Sequence, residues 1–240
     1  MSGGYSSQNF SFYRLHDGVR EKYVLRVPQG NQPFANREIE KTIYADLPAN
    51  VGADLVAFDT TSGRMITRWI EGPILADVFV GTFQEEQLVE YVQELHRAMP
   101  TTKRTYDVVK QTQKMSKQDI LSSDDAADPV LLVPCHNDLN PWNVIVAQDN
   151  WKTLDWEFVG LNDPLFDLIA LHQGLELPQE NLGQLAGQFL GHNDQRRLLS
   201  NLKRFWAREF AWADYQLTAG NLREEIHQQL LTAQAKLQAL

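Results

Sequence analysis

The spacing of apolar residues changes at Glu71-Gly72-Pro73: mostly strands are predicted before these residues and mostly helices after them. Glycine next to proline interrupts both regular structures, so these residues are typical of a hinge. Before the hinge, one helix is predicted from about Asn36 to Asp46. Alternating apolar and polar residues predict strands at 54–58, at 64–70 and in a hairpin over 9–28 that turns at His16-Asp17-Gly18.

After the hinge, helical spacing dominates, first at 84–99 and again from Leu165 to the end of the chain. Two short apolar runs, 130–133 and 144–147, are predicted strands. The polar stretch 101–128 is open to interpretation as a loop, a short helix or a mobile segment. The sequence therefore predicts an α+β fold with a β-rich lobe, a hinge, and a helical lobe that contains a small sheet.

Length, charge and cysteine content exclude several classes of protein. The 240 residues can bury a core without disulfides, and the formal net charge of −9 disfavours nucleic acid as a partner. A single cysteine, Cys135, excludes a disulfide framework and a cysteine zinc site, which favours a reducing, cytoplasmic setting. No apolar run approaches the ~20 residues that span a bilayer, and residues 1–7 do not resemble a secretory signal.

A dense polar segment between the two apolar runs carries the chemistry: Cys135-His136-Asn137-Asp138-Leu139-Asn140-Pro141-Trp142-Asn143. Pro141 prevents a helix here, so the extended loop can direct Asp138 and Asn143 at one centre. Asp155 follows the next apolar run. Amide and carboxylate oxygens suit Mg²⁺, and a further carboxylate can accept a proton from a hydroxyl. This inventory is typical of phosphoryl transfer.

The two motifs, H-x-D-x-x-x-x-N at 136–143 and D-x-E at 155–157, resemble those of the kinase-like phosphotransferases, which include aminoglycoside, choline, ethanolamine and thiamine kinases. The run N-D-P-x-x-D-L at 162–168 is most similar to the choline/ethanolamine kinase branch. The resemblance implies a two-lobe protein-kinase-like fold, with a nucleotide-binding lobe at 1–71 and a catalytic and substrate-binding lobe at 72–240. It also implies ATP and Mg²⁺, with Asp138 as catalytic base and Asn143 and Asp155 as metal ligands.

The N-terminal lobe adds to the resemblance. Residues 2–9 resemble the nucleotide loop of the family, and the chain begins inside that loop, so the lobe is expected to be trimmed or its start misplaced. Arg26 stands where the family places the cation that holds the α/β-phosphates, and Glu40, with Glu38 as its rival, is expected to pair with it. Strand and hinge residues 65–72 are expected to hold adenine. The loop residues implied are Gly3, Gly4 and Ser6.

Late aromatic residues leave two interpretations open. Trp206, Phe210, Trp212 and Tyr215 have the spacings of helix faces, for which core packing is the default. Choline kinases instead use late helical aromatics to hold a quaternary ammonium by cation–π attraction. That interpretation makes Trp206 and Trp212 substrate residues, with Glu157 adding a carboxylate.

Other residues of the motifs have structural interpretations. His136 is expected to support the loop rather than to transfer a proton, Asp163 to begin a helix, and Asp167 to brace the loop. The resemblance implies a small cationic alcohol as substrate, choline or ethanolamine first, thiamine second and an aminoglycoside or amino-sugar third. An inactive nucleotide-binding pseudokinase is the rival from another class. A protein kinase is disfavoured because no Ala-Pro-Glu follows Asp155.

Overall fold

A four-stranded antiparallel sheet and one helix form the N-terminal part of a computed structural model, which describes residues 7–29, 33–148 and 150–240. The sheet order is β1-β2-β4-β3, and all neighbouring strands are antiparallel. The elements are β1 Ser7–His16, β2 Val19–Pro28, α1 Arg37–Asp46, β3 Leu55–Asp59 and β4 Arg64–Arg68.

The hairpin of β1 and β2 confirms the predicted turn. Asp17 and Gly18 have φ values of 49° and 77°, and the register is unbroken from Ser7 opposite Pro28 to His16 opposite Val19. Two successive residues with positive φ form the turn whose twist matches that of the strands. This register fixes Arg26 near the end of β2, opposite Met65 of β4.

Helix α1 begins where the sequence predicts. The side chain of Asn36 accepts a hydrogen bond from the Ile39 amide at 3.1 Å, which caps the first turn. One face of the helix is buried, and Glu40 lies on it beside Ile43 and Tyr44. Because a buried carboxylate is costly without a partner, this face identifies where a cation must approach.

The hinge is held against the C-terminal part by a close backbone contact. Gly72 has a φ of 145°, and a Cβ built there would lie 2.2 Å from the Val146 carbonyl oxygen. The neighbouring Pro73 carbonyl accepts a hydrogen bond from the Val146 amide at 2.9 Å. Only glycine fits this approach, so the hinge position predicted from the sequence has a steric reason. The division of the chain at 71/72 into two domains stays a prediction.

Helices dominate the C-terminal part, with two small two-stranded sheets between them. The stretch 101–128 contains a short helix, and the strand predicted at 130–133 begins later, at Val133, because Pro129–Leu131 form a 3₁₀ turn. The elements are α2 Leu75–Val78, α3 Glu86–Ala98, α4 Val108–Met115, β5 Val133–Cys135, β6 Val144–Val146, β7 Trp151–Thr153, β8 Gly160–Asn162, α5 Leu165–Gly174, α6 Gln179–Leu190, α7 Gln195–Thr218 and α8 Glu224–Gln238.

The hydrophobic core surrounds α5, whose residues Leu165 to Gln173 are all buried. Helices α3, α6 and α7 pack around it, and β5 and β8 pair beside its N-terminus. This arrangement confirms the predicted α+β class. The end of β7 contacts the N-terminal part, where the Thr153 amide donates to the Val51 carbonyl oxygen at 2.8 Å. Across the described ranges, no helix has the length and apolar character needed to cross a bilayer.

Candidate active site

The loop after β5 is held from behind by one carboxylate of α5. Asp167 accepts hydrogen bonds from the His136 and Asn137 amides, both at 2.8 Å, and contacts His96 Nε2 at 2.8 Å. Burial acts to raise the pKa of Asp167, but the hydrogen bonds from the His96 side chain and the His136 amide hold it below its ordinary value. Asn137 has a φ of 67°, an uncommon conformation that the two hydrogen bonds to Asp167 stabilise. The expected bracing role of Asp167 is confirmed.

His136 links the two motifs instead of facing the site. Its buried ring accepts the Asp138 amide at Nδ1 (3.2 Å) and lies 2.9 Å from the Leu154 carbonyl oxygen at Nε2. Nδ1 accepts a hydrogen bond, and Nε2 faces a carbonyl oxygen, which can only accept. The proton of the neutral ring therefore lies on Nε2. Both ring nitrogens are therefore occupied, which confirms that His136 supports the loop.

Asp163 belongs to the scaffold of the site. Its carboxylate accepts the Leu165 amide at 3.0 Å and two hydrogen bonds of 2.8 Å from Arg197 of α7. Burial acts to raise the pKa of Asp163, but the bonds from Arg197 and Asn201 hold it below its ordinary value. The start of α5 is thereby fixed to α7. Asp163 has the structural role that the sequence predicts, although Pro164 and not Asp163 is the N-cap residue of α5.

Asp138 and Asn143 lie together at the two ends of the loop. Asn143 Nδ2 donates to the Asp138 carbonyl oxygen at 3.0 Å and to Asp138 Oδ2 at 3.3 Å. The Leu154 amide donates to the Asn143 carbonyl oxygen at 2.8 Å, which brings the segment before Asp155 alongside. Since Asn143 uses its amide nitrogen inside the loop, its Oδ1 is the atom left for a cation.

Asp155 joins this group from the opposite side. It adopts a left-handed conformation, φ 62° and ψ 69°, and 26% of its side chain is exposed. Its Oδ1 lies 3.0 Å from Arg26 Nη1, and Arg26 Nη2 lies 2.6 Å from Glu40 Oε1. The structure thus pairs Arg26 with Glu40, the pairing that the sequence predicts, while Glu38 is exposed. Burial acts to lower the pKa of Arg26, but the charges of Asp155 and Glu40 raise it.

A second arginine, Arg37, extends the network to the other motif carboxylate. Its Nη1 lies 2.7 Å from Glu40 Oε2 and 2.6 Å from Glu157 Oε2. Burial and the neighbouring Asp155 charge raise the pKa of Glu157 above its ordinary value, and the Arg37 charge acts against this rise. Glu157 is therefore a buried carboxylate that contacts Arg37 of α1. Its role in holding a substrate stays a prediction. No role is predicted for Arg37 from the sequence; its position three residues before Glu40 on α1 is the local signal that could have identified it.

The two tryptophans occupy different positions on α7. Trp206 is buried in the hydrophobic core, its ring 5.0 Å from that of Phe205, with the Lys236 ammonium 5.7 Å away. This is the core packing that the helical spacing favours by default. Trp212 is half-buried. The periodicity of a helix could not distinguish these two environments, because both faces of α7 carry aromatic residues.

Sequence reasoning also missed Arg208 of α7, another charged residue of the site. Its Nη1 lies 2.8 Å from Asp138 Oδ1, and its Nη2 lies 2.9 Å from Glu209 Oε1. No motif includes it, and 70 residues separate it from Asp138. The nucleotide-loop residues Gly3, Gly4 and Ser6 lie outside the described residues, so their predicted role stays a prediction.

The donor set fits a divalent cation and a phosphate chain. Asn143 Oδ1 and the half-exposed Asp155 are hard oxygen ligands of the kind that Mg²⁺ takes together with water and phosphate. Arg26 Nε is buried and lacks a hydrogen-bond partner within the described part of the chain, so one donor is left for a phosphate oxygen. A cation and a nucleotide would therefore meet complementary groups here.

Comparisons with known proteins agree with this arrangement. A model described as "Phosphotransferase enzyme family" matches residues 2–199. Protein LicA of Haemophilus influenzae is 29% identical over 182 residues, which are 66% of this chain and 68% of that protein.

Solved structures share the fold across nearly the whole chain. Choline kinase LicA from Streptococcus pneumoniae superposes with a TM-score of 0.77 at 18% identity, covering 99% of this chain and 92% of the other. A structure of LicA in complex with AMP gives 0.73 at 15% identity, covering 97% and 93%. These similarities confirm the predicted two-lobe, protein-kinase-like architecture.

Proposed function

The chain belongs to the phosphotransferase enzyme family, and we propose that it is an ATP- and Mg²⁺-dependent kinase of a small cationic alcohol. Transfer to an alcohol acceptor follows from the family. Choline and ethanolamine are the first candidates, thiamine is second, and an aminoglycoside or amino-sugar is third. One observation carries the proposal: Asp138 and Asn143 share a loop opposite Asp155, which is itself held by Arg26 on Glu40.

The proposed reaction moves the γ-phosphoryl group of ATP to the acceptor oxygen. The bond from the γ-phosphorus to the β–γ bridging oxygen breaks, a new phosphorus–oxygen bond forms, and ADP leaves. Asp138 orients the hydroxyl and accepts its proton. Asn143 and Asp155 would hold Mg²⁺, which neutralises charge on the phosphates when bound. Arg26, backed by Glu40, would hold the phosphate chain in line with the acceptor.

The charges of Asp138 and its neighbours Arg208 and Glu209 support a cationic substrate. Asp138 and Glu209 share a single guanidinium, that of Arg208, so the three groups carry a net negative charge when both acids are ionised. A small cation is attracted to such a group of charges. The run at 162–168, which resembles the choline/ethanolamine branch, favours choline or ethanolamine over the other alcohols.

A coupled ADP-release assay with Mg-ATP tests the proposal against choline, ethanolamine, thiamine, an amino-sugar and kanamycin. We expect a rate with choline or ethanolamine that falls by at least about 1,000-fold in Asp138→Asn, because proton acceptance and positioning are both lost. Asp124→Asn removes the same charge at an exposed position and serves as the matched control.

Three outcomes separate the candidates. A rate confined to thiamine or an aminoglycoside would move the proposal to that acceptor. Mg-ATP binding without transfer to any alcohol would favour the inactive nucleotide-binding protein. An Asp138→Asn variant as fast as the wild type would refute the role of Asp138 as base.

A further inference from the structure

One arginine of α7 contacts the loop that carries Asp138 although no sequence motif marks it. Arg208 is 8% exposed, and the two terminal nitrogens of its guanidinium bind two different carboxylates, those of Asp138 and Glu209. Glu209 is in turn held from α8 by a hydrogen bond from the Gln229 side chain. The contacts therefore form a chain from α8 through Glu209 and Arg208 to Asp138.

We propose that Arg208 is a positioning residue of the transfer reaction, which holds Asp138 by Oδ1 and leaves Oδ2 directed at the acceptor hydroxyl. This inference rests on the proposed function. The two carboxylate oxygens differ in the way the proposal requires. Oδ1 is bound by the guanidinium at 2.8 Å, whereas Oδ2 has only the long 3.3 Å contact with Asn143. A hydrogen bond of that length is weak, so Oδ2 can exchange it for a hydroxyl.

The planar guanidinium suits this task better than an ammonium. Its fixed fork can bind two carboxylates at once and set the angle between them, whereas lysine offers a single point charge. Arg208 and Glu209 are sequence neighbours, and neighbours on a helix do not face each other. The Arg208 guanidinium nevertheless contacts both acids, Asp138 at 2.8 Å and Glu209 at 2.9 Å.

A neighbouring arginine shows what a purely structural arrangement looks like on the same helix. Arg204, one turn earlier and fully buried, binds the side-chain oxygens of Asn162 and Asn201 and no carboxylate of the site. Arg208 differs because both of its ion-pair partners are acids at the acceptor side. Removal of its charge would leave Asp138 and Glu209 as two carboxylates without the cation between them.

A double-mutant cycle tests whether Arg208 acts through Asp138. Single-turnover phosphoryl transfer from Mg-ATP is measured for wild type, Arg208→Gln, Asp138→Asn and the double variant. We expect Arg208→Gln to slow transfer by about 100-fold in the wild type, as misplacement of a catalytic group does, and by less than about 3-fold when Asp138 is already Asn. The KM for ATP should stay within about 3-fold. An equal cost in both backgrounds would overturn the proposal.

Two further variants keep the test independent of folding. Arg208→Lys retains the buried charge and should recover part of the rate, with a loss of about 10-fold instead of 100-fold. Arg196→Gln removes an exposed arginine of the same helix and should leave the rate unchanged. Thermal melting and Mg-ATP titration on each variant identify any loss due to unfolding. If the transfer rate of Arg208→Lys is no higher than that of a folded Arg208→Gln variant, the proposed contact between a positive charge and Asp138 is contradicted.

The slow hydrolysis of Mg-ATP by water separates this inference from the proposed function. Water replaces the alcohol as acceptor there, so the cycle can be run without knowledge of the substrate. If no alcohol is phosphorylated, the proposed function fails, and the hydrolysis cycle still decides the role of Arg208. If an alcohol is phosphorylated and the two backgrounds respond equally, only the inference on Arg208 fails.

Discussion

At the scale of single residues, the aspartates of the site have different roles because they have different hydrogen-bond partners. Asp167 and Asp163 are saturated with hydrogen bonds and hold the backbone of the loop and of α5. Asp138 and Asp155 each keep one oxygen free of any arginine. Saturated acids stabilise a fold, whereas partly bound ones can exchange partners with a ligand. This difference explains why four aspartates within thirty residues of one another do not have the same function.

Replacement of Asp167 by Asn should destabilise the chain by about 3 kcal/mol, because buried loop amides and His96 lose their charged acceptor. The pKa of Asp167 is held below its ordinary value when folded, so its contribution is present above the unfolded pKa and is lost as the pH falls through the folded pKa. The stability difference between wild type and variant should therefore narrow in acid. Urea unfolding at a series of pH values measures it, and a gap that widens in acid would contradict the assignment.

Replacement of Glu40 by Gln should lower kcat/KM for ATP by about 10-fold or more, because Arg26 loses the charge that holds it. Glu38→Gln on the exposed face of the same helix should change kcat/KM by less than about 2-fold. Steady-state kinetics at saturating acceptor measure both variants. Equal effects at the two positions would show that Arg26 is positioned without Glu40.

The residues of the short motifs could be predicted from the sequence, because their spacing within one loop limits where their side chains can point. Asp138 and Asn143 are of this kind, whereas the pairing of Arg26 with Glu40 follows from the family resemblance and not from spacing within one loop. Arg208 and the contact of Glu157 with Arg37 could not, since each joins segments 70 or more residues apart and neither has a periodic or local signal.

At the scale of elements, the hinge and the loop after β5 are positioned by strand ends and by the buried helix α5. The hairpin turn and the start of α1 follow from local rules, and both could be predicted. The late start of β5 could not be predicted, because the apolar residues 130–133 are compatible with a strand as well as with the 3₁₀ turn that the structure shows at Pro129–Leu131. Helix α5 is buried on all sides, so its apolar pattern has no face from which its neighbours could be inferred.

Two glycines on either side of α2 provide a matched test of the hinge. Gly72→Ala should destabilise the chain by about 3 kcal/mol or more, because its Cβ would overlap the Val146 carbonyl oxygen in addition to the cost of positive φ. Gly81→Ala has a positive φ of 84° and open space around it, so it should cost only about 1 kcal/mol. Thermal melts compare the two, and equal losses would contradict the steric account of the hinge.

At the scale of the whole molecule, buried ion pairs join the N-terminal sheet and helix to the catalytic loops. Arg26 of β2 contacts Asp155, and Arg37 of α1 contacts Glu157, so each of these two arginines faces one acid of the D-x-E motif. Arg104 adds hydrogen bonds to the Glu157 and Phe34 carbonyl oxygens at 2.8 and 2.6 Å. The residues proposed to face the nucleotide and those proposed to hold the metal are therefore joined in one network of contacts.

A double-mutant cycle on Arg37→Gln and Glu157→Gln should give a coupling energy of about 2 kcal/mol, because both side chains are largely buried. The matched pair Arg68 and Glu21 is 48% and 25% exposed and should give no more than about 1 kcal/mol. Urea unfolding at low and high salt measures both. The buried coupling should persist in high salt, and its loss there would show that the contact is solvent-screened.

The most direct test of the central claim is ³¹P NMR of a reaction containing Mg-ATP and choline or ethanolamine. We predict that the ATP signals are replaced by those of ADP and a phosphomonoester of the alcohol in equal amounts, and that Asp138→Asn produces neither within the same time. ADP accompanied only by inorganic phosphate, or unchanged ATP with every alcohol of the series, would contradict the assignment of this site as an alcohol kinase.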